Sequence, residues 1–181
     1  MRIISGKARG TNLYTLQGTN TRPTLDRVKE SIFNIISERI YDSKVLDLFS
    51  GSGAIGLEFA SRGAKEVVLC DNSKKAIEII QKNIQKTHLE DKVRVYNCDF
   101  GELLSEIQNE KFDIIYLDPP YKTDYIKEAI EKILQYNLKE QNGVIIAETD
   151  EPDKIKNDIS NLNVEIIDMR KYGRANLLFI K

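Results

Sequence analysis

The sequence predicts an α/β fold, a central and mostly parallel sheet with helices on both faces and an antiparallel final strand. Three observations predict it. From Lys44 onward, apolar runs of strand length alternate with segments of helical periodicity. The first such run feeds a glycine-rich turn that opens into a helix. The last two runs are separated only by residues 170–175, too short for a crossover helix, so they should pair antiparallel.

The elements follow in chain order. Short β-type stretches at 2–5 and 13–16 flank Gly6-Lys7-Ala8-Arg9-Gly10, the pattern of a hairpin, and residues 18–23 read as a polar connection. Thr24 is placed to cap a helix in which Leu25, Val28, Ile32, Ile35, Ile36 and Ile40 recur with a period near 3.6. A strand at 45–49 precedes the glycine turn and a helix at 55–61. A strand at 66–70 precedes a helix at 73–87 started by Ser73. Strands at 92–97 and 114–117 bracket a helix at 102–108. A helix at 124–135, a strand at 143–148 and a polar helix at 152–159 lead to the final strands at 163–169 and 176–180. That is seven strands, joined by right-handed βαβ units where they run parallel. The predicted organisation is an N-terminal hairpin arm, residues 1–24, on a single domain, residues 25–181.

Bulk properties narrow the class. At 181 residues, 41% apolar and 30% charged, the chain matches an ordinary globular protein in the cytoplasm. No run is long enough to span a bilayer, and Met1 to Lys7 lacks the apolar core of a signal peptide. Cys70 and Cys98 read as reduced thiols near strand ends. With a single histidine, His88, they make no metal site. The net charge of −1 is unevenly spread. Residues 1–29 hold Arg2, Lys7, Arg9, Arg22, Arg27 and Lys29 against Asp26 alone, a surplus of five positive charges, so the remainder carries −6. Such an arm is either a solvated surface or a contact for phosphates.

Two motifs carry chemistry. The first is Asp47-Leu48-Phe49-Ser50-Gly51-Ser52-Gly53-Ala54-Ile55-Gly56, in which Gly51, Gly53 and Gly56 satisfy a nucleotide-binding spacing. Asp71, twenty residues after Gly51, stands where a ribose-binding carboxylate belongs. This pattern alone fits a nicotinamide or flavin enzyme as well as a methyltransferase. Asp47 opposes a pyrophosphate but suits a cationic ligand, and S-adenosylmethionine carries both an ammonium and a sulfonium. Asp99, beyond the third strand, would sit on the same sheet edge and accept from an adenine amine, or serve simply as a helix cap.

The second motif is Asp118-Pro119-Pro120-Tyr121, directly after the fourth strand. Paired prolines remove two backbone donors and stiffen the loop while leaving carbonyls free to accept. An exocyclic base amine is a poor nucleophile because its lone pair is delocalised. Accepting its two N–H groups at the Asp118 carboxylate and the Pro119 carbonyl would localise that pair and stabilise positive charge on nitrogen. Tyr121 would stack on a flipped base.

At these residues the chain resembles the class I amino-methyltransferases with an [Asp/Asn]-Pro-Pro-[Tyr/Phe] motif. Arg2-Ile3-Ile4-Ser5-Gly6 with Arg9-Gly10, Thr21-Arg22-Pro23-Thr24, Val28-Lys29-Glu30-Ser31-Ile32-Phe33-Asn34, Ser61-Arg62-Gly63-Ala64 and Lys171-Tyr172-Gly173 extend the likeness. Together they resemble the bacterial small-subunit ribosomal RNA guanine-N2 methyltransferases, the RsmD group. The resemblance implies a seven-stranded Rossmann-like sheet and transfer of a methyl group from S-adenosylmethionine to N2 of one guanine. The substrate would be small-subunit ribosomal RNA in a partly assembled subunit, and the enzyme a monomer. It implies that Asp47 and the glycine turn hold the methionine end, Asp71 the ribose and Asp99 the adenine. Arg2, Lys7, Arg9 and Arg22 would contact RNA. Ser50 and Ile55 depart from the family's usual Ala and Leu, and the body is more acidic than a typical RNA binder.

Three other readings remain at this level. The same loop serves DNA adenine N6 and protein glutamine amides, although 181 residues leave little room for a DNA-recognition domain. The glycine turn alone fits a nicotinamide-dependent oxidoreductase. The basic arm alone fits a non-catalytic RNA-binding module.

Overall fold

A computed structural model describes residues 1–16, 23–121 and 123–181, with residues 23–27 described for their backbone alone. The expectations for residues 18–22, for Arg22 and for the Thr24 cap therefore lie outside what is described.

The chain runs α1 (Pro23–Ile35), β1 (Lys44–Asp47), α2 (Ala54–Ser61), β2 (Glu66–Cys70), α3 (Lys74–Thr87), β3 (Val93–Tyr96), α4 (Phe100–Glu106), β4 (Phe112–Leu117), α5 (Tyr125–Gln135), β5 (Lys139–Thr149), α6 (Pro152–Asp158), β6 (Ile166–Tyr172) and β7 (Ala175–Ile180). The seven strands form one sheet in the order β3-β2-β1-β4-β5-β7-β6. β1 to β5 are parallel, and β7 runs antiparallel to both β5 and β6. The fold is the Rossmann-like sheet with a reversed last strand that the sequence predicts. Strand order reverses between β1 and β4, and ligands of open α/β sheets bind beyond the carboxyl ends of strands at such a point.

Two cores flank the sheet. Ile32, Phe33, Leu57, Phe59, Ile77 and Ile80 of α1, α2 and α3 pack on one face. Leu103, Leu104, Ile130, Ile133 and Ile155 of α4, α5 and α6 pack on the other. α2 is buried nearly all round, and Gly56 makes that possible. A Cβ there would stand 2.2 Å from the Leu69 side chain on β2, so any larger residue would have to displace that buried side chain.

Several predicted boundaries move. α1 stops at Ile35, which is 41% exposed, and a 3-10 turn over Ser37–Arg39 carries Ile36 and Ile40 back into the core. Thus Ile35 is not the core residue that helical spacing predicts, because the buried face centres on Ile32, Phe33 and Ile36 and leaves Ile35 at its edge. Ser73 caps α3 as predicted, its hydroxyl accepting from the Ala76 N–H, and exposed His88 ends that helix with φ near 54°. The ladder of β6 begins at Ile166, three residues later than predicted. The Val164 N–H instead turns back to the Leu162 carbonyl, while Glu165 exchanges two backbone hydrogen bonds with Lys181. The β6–β7 hairpin closes around Gly173-Arg174, with Tyr172 opposite Ala175.

The predicted N-terminal hairpin reduces to one antiparallel bridge, Arg2 with Asn12, and its loop is docked. The N–H groups of Ile4 and Ser5 donate to the Glu58 carboxylate at 2.8 and 2.9 Å. The Lys7 N–H donates to the Ser61 carbonyl at 2.8 Å, and the Ala8 N–H to the Ser61 hydroxyl at 3.0 Å. Gly6 has φ +85°, and a Cβ on it would meet the Ser61 carbonyl oxygen at 1.8 Å, so this approach requires glycine. Lys29, counted by sequence among the basic arm, is instead buried at 2% exposure, 2.9 Å from Glu58. Its charge is matched inside the fold by Glu58.

Candidate active site

Each of the five parallel strands ends at a carboxylate on one edge of the sheet. Asp47 closes β1, Asp71 follows β2, Asp99 follows β3, Asp118 follows β4 and Glu148 stands near the end of β5. The sequence reading identified four of these and missed Glu148, although its position at the end of a strand was a readable signal. Two adjoining cavities open along this edge. The larger, about 380 Å³, is lined by Asp71, Asn72, Asp99 and the Asp118–Tyr121 loop. The smaller, about 240 Å³, is lined by Asp47, Lys29, Tyr116 and Glu148. Phe49, Gly51 and Asp118 line both.

The turn is built by Asp71. One of its carboxylate oxygens accepts from the Gly51 N–H at 2.8 Å and the other from the Ser73 N–H at 2.8 Å, which ties the glycine turn to the start of α3. Gly51 has φ +56° and nothing within 4 Å of where a Cβ would be, so its backbone is open to a ligand. Gly53 and Gly56 line neither cavity. Gly53 adopts a left-handed conformation against Ile80, and Gly56 serves helix packing. Asp99 caps α4 through the Gly101 N–H at 2.8 Å and still lines the larger cavity, so both of its predicted readings are compatible with its place. Aromatic rings furnish that cavity's far wall. Phe49 and Tyr125 lie parallel with centroids 6.1 Å apart, and Phe100 tilts against both at 5.2 and 5.3 Å. The sequence reading missed this cluster, whose members come from three separate loops and helix starts.

In the proline loop, Pro119 is buried while Pro120 and Tyr121 are exposed. The Thr123 hydroxyl donates to the Pro120 carbonyl at 2.9 Å. Among the described residues no donor reaches the Pro119 carbonyl. Tyr121 stands on the cavity rim, 55% exposed.

Electrostatics make this edge hungry for positive charge. Asp47 is 1% exposed, and among the described residues its Oδ1 has no hydrogen-bond partner. Burial pushes its carboxyl from the ordinary 3.8 up to about 7, against hydrogen bonds from Phe49 and Ser50. Burial, then the charges of Glu148 and Asp47, hold Asp118 well above the usual carboxylate range. Burial likewise raises Glu148, which accepts from the Tyr116 hydroxyl at 2.8 Å. An orphaned buried carboxylate oxygen beside crowded acids is what a cationic ligand would satisfy, so the donor set fits S-adenosylmethionine.

This crowding has a measurable consequence. An unfolded chain ionises Asp47 near 4, whereas the folded chain keeps that proton to about 7. Between those values the fold binds more protons than the unfolded state, so the contribution is full below about 4 and is lost as pH rises through about 7. Glu58 and Glu110 are depressed and act oppositely only below the ordinary glutamate range. The urea midpoint of the ligand-free chain should therefore be higher at pH 5.5 than at pH 8, and Asp47→Asn should reduce the difference, with raised Asp118 and Glu148 keeping the rest. Equal slopes in both proteins would contradict this assignment.

The other predicted site residues are spread out. Arg2, Lys7 and Arg9 are exposed, but Lys7 lies at Ser61, the end of α2 opposite the glycine turn. Seven residues of helix separate that end from the cavities, about 10 Å along the axis. Of the described residues of the N-terminal segment, Met1, Thr15 and Leu16 reach the site, where they line the smaller cavity. Among the described residues no helix is long and apolar enough to cross a membrane.

Comparison with known proteins agrees with this architecture. A family model described as "Conserved hypothetical protein 95" matches residues 1–181. A Bacillus subtilis protein named putative rRNA methyltransferase YlbH is 38% identical over 164 residues, 90% of this chain and 89% of the relative. The ribosomal RNA small subunit methyltransferase D of Haemophilus influenzae is 36% identical over 152 residues, 83% of this chain and 79% of the relative. Among solved structures, the putative methyltransferase yhhF of Escherichia coli superposes with a TM-score of 0.84 at 26% identity, covering 99% of this chain and 96% of that one.

Proposed function

The chain belongs to the family described as conserved hypothetical protein 95, the RsmD-like methyltransferases, and from that premise we propose that it methylates the exocyclic N2 of a guanine in small-subunit ribosomal RNA, with S-adenosylmethionine as donor. The observation that carries the chemistry is the closeness, at the sheet's reversal point, of the Asp47 carboxylate, whose Oδ1 has no partner among the described residues, to the loop that begins at Asp118. When bound, S-adenosylmethionine supplies an electrophilic methyl group on a sulfonium.

The protein's own groups divide the remaining work. Asp47 and the Gly51 backbone hold the cationic end, Asp71 the ribose hydroxyls, and Asp99 with Phe49, Phe100 and Tyr125 the adenine. The Asp118 carboxylate and the Pro119 carbonyl accept the two N–H groups of the guanine amine, which concentrates its lone pair on nitrogen. The bound donor would supply the methyl group to N2 and keep the electron pair of its sulfur–carbon bond. The surplus N2 proton leaves through Asp118. Pro120 fixes the loop, and Tyr121 stacks on the extruded base. Arg2, Lys7, Arg9 and Arg22 contact RNA backbone, the segment 1–24 acting as an RNA-contact unit on the domain 25–181. The enzyme acts as a cytoplasmic monomer on a partly assembled small subunit.

The test is methyl transfer from labelled donor to naked small-subunit RNA and to partly assembled particles from cells lacking this protein, followed by nucleoside analysis. Label in N2-methylguanosine, greater in particles, is the expected result. Label in adenine or in a protein glutamine, or none in RNA, would overturn the guanine reading.

A further inference from the structure

Several cations of this surface pair with neighbouring carboxylates. Lys44 and Arg94 bridge Glu66 and Glu110, Lys154 pairs with Asp124, Lys156 with Asp153, and Arg170 with Asp168. Among those that do not is a row on α3. Lys75, Ile79, Lys82 and Lys86 follow one another at helical spacings of four, three and four, so they share a face. Among the described residues none of the three lysines lies within 4 Å of a carboxylate. The stripe spans about 16 Å at 1.5 Å per residue.

Beside it lies the end of the N-terminal segment. Asn83 of α3 accepts from the Tyr14 N–H at 2.7 Å and donates to the carbonyls of Tyr14 at 3.0 Å and Ser52 at 2.9 Å. This clamps residue 14 to both α3 and the glycine turn. The Tyr14 ring is half-exposed, with the Lys86 ammonium 4.4 Å from its centroid. Between the segment and the helix runs an open groove of about 820 Å³, lined by Tyr14, Thr15, Leu16, Lys75, Ile79 and Lys82, with Glu78 its one carboxylate among the described residues. Thr15 and Leu16 also line the cavity that holds Asp47, Asp118 and Glu148, so the groove adjoins the reacting site.

We propose that this groove is an RNA-contact surface that carries a single-stranded segment next to the target base, with Lys75, Lys82 and Lys86 on its phosphates and Tyr14 stacked on a neighbouring base. Cations without carboxylate partners, in a row beside an exposed aromatic, suit a single strand, since phosphates need charge and every base has a face to stack. Duplex RNA offers no splayed base for Tyr14. The proposal rests on the RNA-methyltransferase reading above. It places the strand at the end of the N-terminal segment nearest the chemistry, away from the Lys7 loop.

The test uses the full chain and a labelled 12-nucleotide oligouridine, with binding followed against salt, beside the methyl-transfer assay and calorimetric binding of S-adenosylmethionine. Lys75→Ala/Lys82→Ala/Lys86→Ala should weaken oligonucleotide binding at least tenfold. It should also reduce the salt slope by about 2, at roughly 0.7 for each phosphate that no longer meets a cation. In the methylation assay KM for RNA should rise with kcat and cofactor affinity unchanged. Tyr14→Ala should cost about tenfold in affinity and Tyr14→Phe little. Wild-type affinity and slope in the triple variant would overturn the proposal, as would failure of the unaltered chain to bind the oligonucleotide. Groove-dependent binding without any methyl transfer to small-subunit RNA would leave the groove standing and remove only the assigned function.

Discussion

Asp118→Ala should lower methyl transfer by about 10²–10³-fold while leaving affinity for S-adenosylmethionine close to that of the unaltered chain. The loop that carries Asp118 is positioned by β4, whose Tyr116 is fixed by the Glu148 carboxylate, and the following prolines hold its course without backbone donors. Removing the carboxylate therefore removes an acceptor from the reacting nitrogen without collapsing the loop. The ligand's cationic end keeps Asp47, and its ribose keeps Asp71. Asp118→Asn separates charge from hydrogen bonding. Its amide oxygen still accepts one N–H, so the loss should be about tenfold, in keeping with the weaker hydrogen bonds of neutral acceptors. Because Asp118 holds its proton well above the usual carboxylate range, wild-type turnover should rise with pH as the cluster ionises, and the Asn variant should lose that limb. Single-turnover rates across pH, with cofactor binding by calorimetry, provide the measurement. An Ala variant with full activity would remove Asp118 from the chemistry.

What made the site legible is that its acids follow strands. In a parallel sheet every strand ends on the same edge, so Asp47, Asp71, Asp99 and Asp118 converge although up to 71 residues separate them. Glu148 obeys the same rule, but no motif flanked it to draw notice. The Rossmann-like order and the reversed β7 were legible from alternation and from the short β6–β7 link. Local spacing failed where tertiary contacts decide. Ile35 satisfies the helical period and is exposed, since it falls at the edge of the face that Ile32, Phe33 and Ile36 bury. Lys29 counted as surface charge because its partner lies 29 residues away on another helix. One signal for that partner existed. In Ala-Ile-Gly-Leu-Glu-Phe-Ala-Ser of α2, Glu58 is the one ionisable residue of a helix too apolar to have a solvent face, so it had to be buried with a counter-charge.

Glu58→Gln tests what that buried pair does, and it should be the most destabilising single change outside the reacting loop. Glu58 is fully buried, with Lys29 at 2.9 Å and Arg62 at 2.8 Å. Burial alone would raise its carboxyl, yet the charge of Lys29 and hydrogen bonds from Ile4, Lys29 and Arg62 hold it below the usual glutamate value. The carboxylate is therefore ionised throughout the neutral range, and its stabilisation disappears only as pH falls through that depressed value. A glutamine keeps the volume but loses the charge, and its NH2 is a donor facing the N–H donors of Ile4 or Ser5. Lys29 is then left cationic and 2% exposed, with the Arg2 carbonyl at 3.0 Å among its contacts. Breaking a buried pair in this way costs about 3–5 kcal/mol. For a domain of this size that lowers the melting temperature by roughly 10 °C. Lys29→Met/Glu58→Gln should be less destabilised than the sum of its two single changes, because the stranded charge is gone. Since Glu58 also tethers Ile4 and Ser5, the N-terminal segment should become sensitive to protease in Glu58→Gln. Methyl transfer should fall with it, because Met1, Thr15 and Leu16 line the cavity at Asp47. A melting temperature within about 2 °C of the unaltered chain would show that the Lys29–Glu58 pair does not hold the segment in place.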